Sequence, residues 1–167
     1  MGVRVDLAGQ QFLATVIPQL PGVTRAAQAI DLDQPAALAV VRDQRQRLRE
    51  VDIQAVARDY QDDATPWCAG WVSFCLAKAG EKPSSQPLWA LSYSDTKNQP
   101  VVKLAGPALG AIAVKTRNGG GHVTFVAGRT RGGALACCGG NQNDEVNVSP
   151  YLADVFVGFF WPKGAAL

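Results

Sequence analysis

The chain is most continuously apolar between Thr65 and Gly80, where Trp67, Cys68, Trp71, Val72, Phe74, Cys75, Leu76 and Ala79 leave only Ser73 and Lys78 as solvated positions. Residues 68, 72, 75, 76 and 79 fall on one helical face and Trp67, Trp71 and Phe74 on another, so the spacing predicts a helix in the middle of a domain. Thr65 is placed to cap it, Pro66 suits the first helical position, and Gly80 suits the left-handed stop. Cys68 then falls near the third position of the helix. There, unpaired backbone N–H groups and the helix dipole favour a thiolate.

Upstream, Val3 to Leu7 alternates like a short strand. Asp33 can cap a helix from Pro35 to about Glu50, and a second short helix is expected over Ile53 to Tyr60. The arginines at 42, 45 and 49 read as a solvated helix face. Downstream, Glu81 to Gly110 is rich in proline and carries one short helical turn around Leu88 to Leu91. A connection this long reads as one wall of a groove.

After Gly110 the period shortens to that of strands. Ala111–Lys115, His122–Ala127, Ala134–Cys138, Glu145–Val148 and Val155–Trp161 are separated by turns such as Asn118–Gly121 and Gly139–Asp144. Helices followed by an antiparallel sheet predict an α+β domain. One domain is expected overall, with residues 1–51 as an N-terminal extension packed on a core spanning 52–167.

Composition narrows the function classes. The chain has 167 residues, 47% of them hydrophobic and 18% charged, as a globular domain would. Its net charge of +2 and the lack of an aromatic-interleaved basic stripe argue against nucleic acid as a partner. No apolar run has the length of a membrane span, and Met1 to Leu20 lacks the apolar core of a signal peptide, so synthesis in the cytoplasm without standard export is expected. Four cysteines without CxxC spacing make neither a disulfide framework nor a zinc site, and no metal or cofactor is expected.

Three residue types remain that carry chemistry. A thiol nucleophile needs a base that titrates near neutrality, and His122 is the chain's one histidine. The base needs an orienting partner on its other ring nitrogen. Asn141 ends the strand that follows the next hairpin, where an antiparallel pairing brings it toward His122, and Asp144 is the alternative. For the oxyanion, the Cys68 backbone N–H and a side chain from Tyr60 or Gln61 are the candidates. Trp67, Trp89 and Tyr93 are the candidate groove aromatics.

The run Thr65-Pro66-Trp67-Cys68-Ala69-Gly70-Trp71-Val72 with Cys75, Leu76, Ala79 and Gly80, the Gly121-His122-Val123 strand start, and Gly139 to Tyr151 together resemble the bacterial and phage cysteine peptidoglycan hydrolases of NlpC and CHAP type. The likeness covers about residues 52 to 162. It departs where Gly110-Ala111 stands in place of the Gly-Asp pair that many relatives carry. The resemblance implies a papain-like fold and amidase or endopeptidase cleavage of an amide bond in cell-wall stem peptides. In it Cys68 is the nucleophile, His122 the base and Asn141 the third residue. It further implies a phage lysin or an injected antibacterial toxin such as a type VI secretion effector, acting in the periplasm or wall of a target bacterium. An immunity protein or a delivery-apparatus protein would then be a partner. Two other readings keep the same residues: a transglutaminase- or deamidase-like toxin, and a catalytically silent module that binds wall peptides.

Overall fold

The computed structural model describes residues 66–144 and 146–165. The strand and helices expected before Pro66, together with Thr65, Tyr60 and Gln61, lie outside the described residues, as does the division at residue 51.

Helix α1 spans Cys68–Lys78. Trp67 is its N-cap residue and accepts the first helical bond, from Trp71 N–H at 2.9 Å. Cys68 is therefore the first helical residue, two positions earlier than the sequence suggests, where Pro66 precedes the helix without entering it. The far end follows the sequence more closely. Gly80 takes φ +80°, its N–H bonds Ala77 O at 3.1 Å, and Glu81 N–H bonds Leu76 O at 2.9 Å. This pair of bonds satisfies carbonyls that the last turn would leave open, and the left-handed residue they need costs least as glycine.

Ser73 departs from expectation. It is fully buried, with its hydroxyl 2.7 Å from Tyr93 Oη and 3.0 Å from Pro87 O. These bonds fasten the 81–99 segment to the helix. A 3-10 turn at Ala90–Ser94 occupies part of that segment, held by a buried group of Ser84, Ser92 and Gln99. Polar side chains thus do in this stretch what apolar ones do in the sheet, each buried oxygen being matched by a partner.

Six strands follow: β1 (Val101–Lys103), β2 (Ile112–Arg117), β3 (Gly120–Arg129), β4 (Leu135–Gly139), β5 (Asn147–Tyr151) and β6 (Gly158–Pro162). They form one antiparallel sheet in the order β1-β6-β2-β3-β4-β5. β1 is absent from the sequence expectation, and a 3-10 turn at Ala153–Val155 replaces the start of the strand expected from Val155. β5 begins at Asn147, two residues later than the pattern suggests.

The core sits between α1 and the sheet. The rings of Trp71 and Phe125 meet edge to face with centroids 5.7 Å apart, and Ile112, Val114, Val123 and Phe160 are buried beside them. All four cysteines are free and buried. Among the described residues no helix is long and apolar enough to cross a membrane.

Candidate functional site

Where α1 begins, it meets β3. The backbone N–H groups of Val123 on β3 and of Cys68 and Ala69 at the helix start lie near enough to Cys68 Sγ to favour its charged form. The peptide that contacts the sulfur is thus the one that joins His122 to Val123. The start of α1 packs against β3, in which His122 is the third residue, and Cys68 and His122 share no hydrogen bond.

The electrostatic outcome differs from a preformed thiolate. Burial pushes the Cys68 thiol up from its ordinary value, and the backbone N–H of Val123, the charge of Arg117 and the helix-start N–H groups pull the other way without overcoming it. Removing water costs the charged form more than a few oriented dipoles return. At neutral pH the resting sulfur is a thiol.

His122 is 3% exposed. Burial holds its pKa down to about 4, Lys115 and Arg117 push the same way, and the bond to Gln142 opposes them. The resting imidazole is therefore neutral. Its Nε2 lies 3.2 Å from Gln142 Oε1. Its Nδ1 is buried and has no hydrogen-bond partner among the described residues.

Which nitrogen carries the proton follows from Gln142. The Gln142 Nε2 donates to Asn147 O at 2.7 Å, to Asn147 Oδ1 at 2.9 Å and to Cys137 O at 3.3 Å. Backbone carbonyls only accept, so the amide cannot be turned around. Its oxygen then faces His122 and also accepts from Tyr151 Oη at 3.1 Å. A carbonyl oxygen opposite Nε2 requires Nε2 to be the protonated nitrogen. The Nδ1 lone pair is left bare, which is the state a proton acceptor needs.

The side chain bonded to His122 Nε2 is that of Gln142, and not of Asn141 or Asp144 as the sequence predicts. Asn141 is half-buried in the turn at φ +54°, and Asp144, at φ +60°, accepts from Trp67 Nε1 at 3.4 Å. The backbone of the turn accounts for the shift by one residue: beyond the end of β4, residues 141, 143 and 144 are left-handed, and among 141–144 only the Gln142 side chain is buried. Gly140 lets this turn lie on the helix. A Cβ there would come 2.6 Å from the Trp67 ring and 2.7 Å from Trp71 Cβ.

The signal for Gln142 in the sequence is faint. It is a long amide among turn-forming residues, followed five positions on by Asn147, whose Nδ2 donates back to Gln142 O at 2.7 Å. Ser149 completes the set by donating to Asn147 Oδ1 at 2.8 Å.

The expected groove aromatics separate. Trp89 is 52% exposed, whereas Trp67 is buried against the 140–144 turn. Tyr93 is fully buried, and its hydroxyl belongs to the Ser73 contact, so it is a core residue and not a groove residue. Tyr151 was not singled out by the sequence. Its ring centroid lies 6.3 Å from that of His122, and Lys115 Nζ sits 4.4 Å from the Tyr151 centroid. Among the described residues, no three His, Cys, Asp or Glu side chains gather as metal ligands would.

A thiol, a neutral imidazole with a bare nitrogen and a fixed amide are a set suited to nucleophilic attack on a carbonyl. Compared with models of protein families, with curated proteins and with solved structures, the chain matches none.

Proposed function

We propose that the protein is a papain-like cysteine hydrolase that cleaves an amide bond in the peptide stems of peptidoglycan and acts in a bacterial cell wall as a lysin or antibacterial effector. Cys68 is the nucleophile, His122 the base, and Gln142 holds the imidazole. The observation that carries this reading is the fixed amide of Gln142, which leaves His122 Nδ1 as the acceptor next to the peptide contacting Cys68 Sγ.

The cycle begins from the neutral pair. His122 Nδ1 takes the Sγ proton as sulfur attacks the substrate carbonyl, and the N–H groups around the sulfur stabilise the charge that develops. The imidazolium then gives that proton to the departing amine, leaving an acyl thioester on Cys68. Water, deprotonated by the same imidazole, cleaves the thioester and restores the thiol. Gln142 accepts from Nε2–H throughout, so the ring presents Nδ1 in both half-reactions.

Purified sacculi digested by the wild-type protein are expected to release peptides with new free amine ends, identified by mass. Cys68→Ala should release none above background. Intact sacculi after prolonged digestion by folded wild type would remove the wall-hydrolase reading.

A further inference from the structure

β2 brings two cations to the site. Lys115 is the direct cross-strand partner of His122, and Arg117, two residues on, pairs with Gly120. Positions 115 and 117 lie on the same face of the strand as each other. Lys115 is half-buried, with Nζ 4.4 Å from the Tyr151 ring centroid, and Tyr151 in turn donates to the Gln142 oxygen that holds His122. Arg117 is exposed at the rim.

The two charged side chains that β2 carries alongside His122, Lys115 as its cross-strand partner and Arg117 two residues on, are both positive. This is an odd setting for a base that must itself become cationic. Two like charges held beside it disfavour that step unless an anion arrives with the substrate. The geometry suits one: a point charge steadied on an aromatic face and a planar guanidinium able to take a carboxylate through two bonds.

We infer that Lys115 and Arg117 form a subsite for a carboxylate of the substrate, so that the preferred substrates are peptides carrying a free acidic group close to the scissile amide. This rests on the hydrolase reading for the identity of the scissile bond but not for the binding itself. The pair is too small for a polyanion, since two cations at one strand end make neither a stripe nor a groove. A bound carboxylate would also balance the charge that the imidazole gains during acylation.

The test uses two synthetic stem tetrapeptides with every other carboxyl group amidated, identical except that the second residue carries either its free α-carboxylate or the carboxamide. Binding to full-length Cys68→Ala is measured by calorimetry, and cleavage is measured with the wild type. The carboxylate peptide is expected to bind on the order of tenfold or more tightly, with the preference shrinking as salt rises. Adding Arg117→Gln should remove most of the preference. Equal binding of the two peptides, or binding of neither, overturns the subsite, and equal kcat/KM for the two overturns it while leaving the hydrolase reading standing. A binding preference without cleavage of either tetrapeptide supports the subsite and excludes the bonds within the stem as the target, while sacculus digestion decides the hydrolase reading.

Discussion

His122 and Gln142 are joined Nε2 to Oε1 at 3.2 Å, and the direction of that bond is set by carbonyls on the far side of the amide. An imidazole can present either nitrogen to its surroundings. Here the backbone of the β4–β5 turn decides which one is free.

Replacing Gln142 should therefore do more than replacing its neighbour. Gln142→Ala takes the side-chain donor from the backbone carbonyls of Asn147 and Cys137 and frees the ring, with an expected cost of about 1–3 kcal/mol in stability and a large fall in kcat. Asn141→Gly relieves a left-handed residue and should change both little. Urea unfolding and sacculus digestion of the two variants check the assignment. The reverse order of effects would return the third position to Asn141.

The single histidine of the chain gives one titrating imidazole. With its pKa lowered to about 4, the folded ring stays neutral across the range in which an unfolded histidine, near 6.5, gains its proton. The unfolded chain then binds more protons between those values, so the stability that this group contributes is full above about pH 6.5 and is lost as pH falls toward 4. The loss is expected to be roughly 3 kcal/mol. An NMR titration of the imidazole proton should show its midpoint near 4, and a midpoint above 6 contradicts the burial.

A buried thiol should alkylate slowly. Iodoacetamide modification of Cys68, followed by mass spectrometry, is expected to rise with pH up to and beyond 9 without a plateau at low pH. A plateau between pH 5 and 7 would mean that a thiolate–imidazolium pair exists at rest.

Gly140→Ala pushes a methyl group into Trp67 and Trp71 at the helix start. A destabilisation of about 1–3 kcal/mol is expected, together with loss of activity beyond what the lowered stability explains, because the turn that carries Gln142 must move. Thermal melts alongside digestion assays, both run well below the variant's midpoint, separate the two effects.

Much of this arrangement is legible in the sequence because two local rules are strong. The apolar run ending at Gly80 fixes α1 and brings Cys68 to its start, and β-branched runs between glycine-rich turns give β2, β3 and β4 to within about two residues. β1 escapes because three residues just after Pro100 carry no period, and only pairing with β6 makes them a strand. Ser73 and Tyr93 escape because their burial depends on each other across 20 residues. Gln142 escapes because the choice between neighbouring amides is made by backbone dihedrals in the turn, which residue type alone does not fix. The ionisation of Cys68 is a further case: its helix position favours the thiolate, while its burial, a tertiary property, decides against it.

If Cys68 is the nucleophile, its sulfur carries the acyl group during turnover. The direct measurement is rapid quenching of the wild-type protein with a stem-peptide substrate, followed by mass spectrometry of the fragment containing Cys68. A mass increase equal to the acyl portion, lost in Cys68→Ala and strongly reduced in His122→Ala, is expected; undiminished amine release by Cys68→Ala would mean that another group attacks the carbonyl.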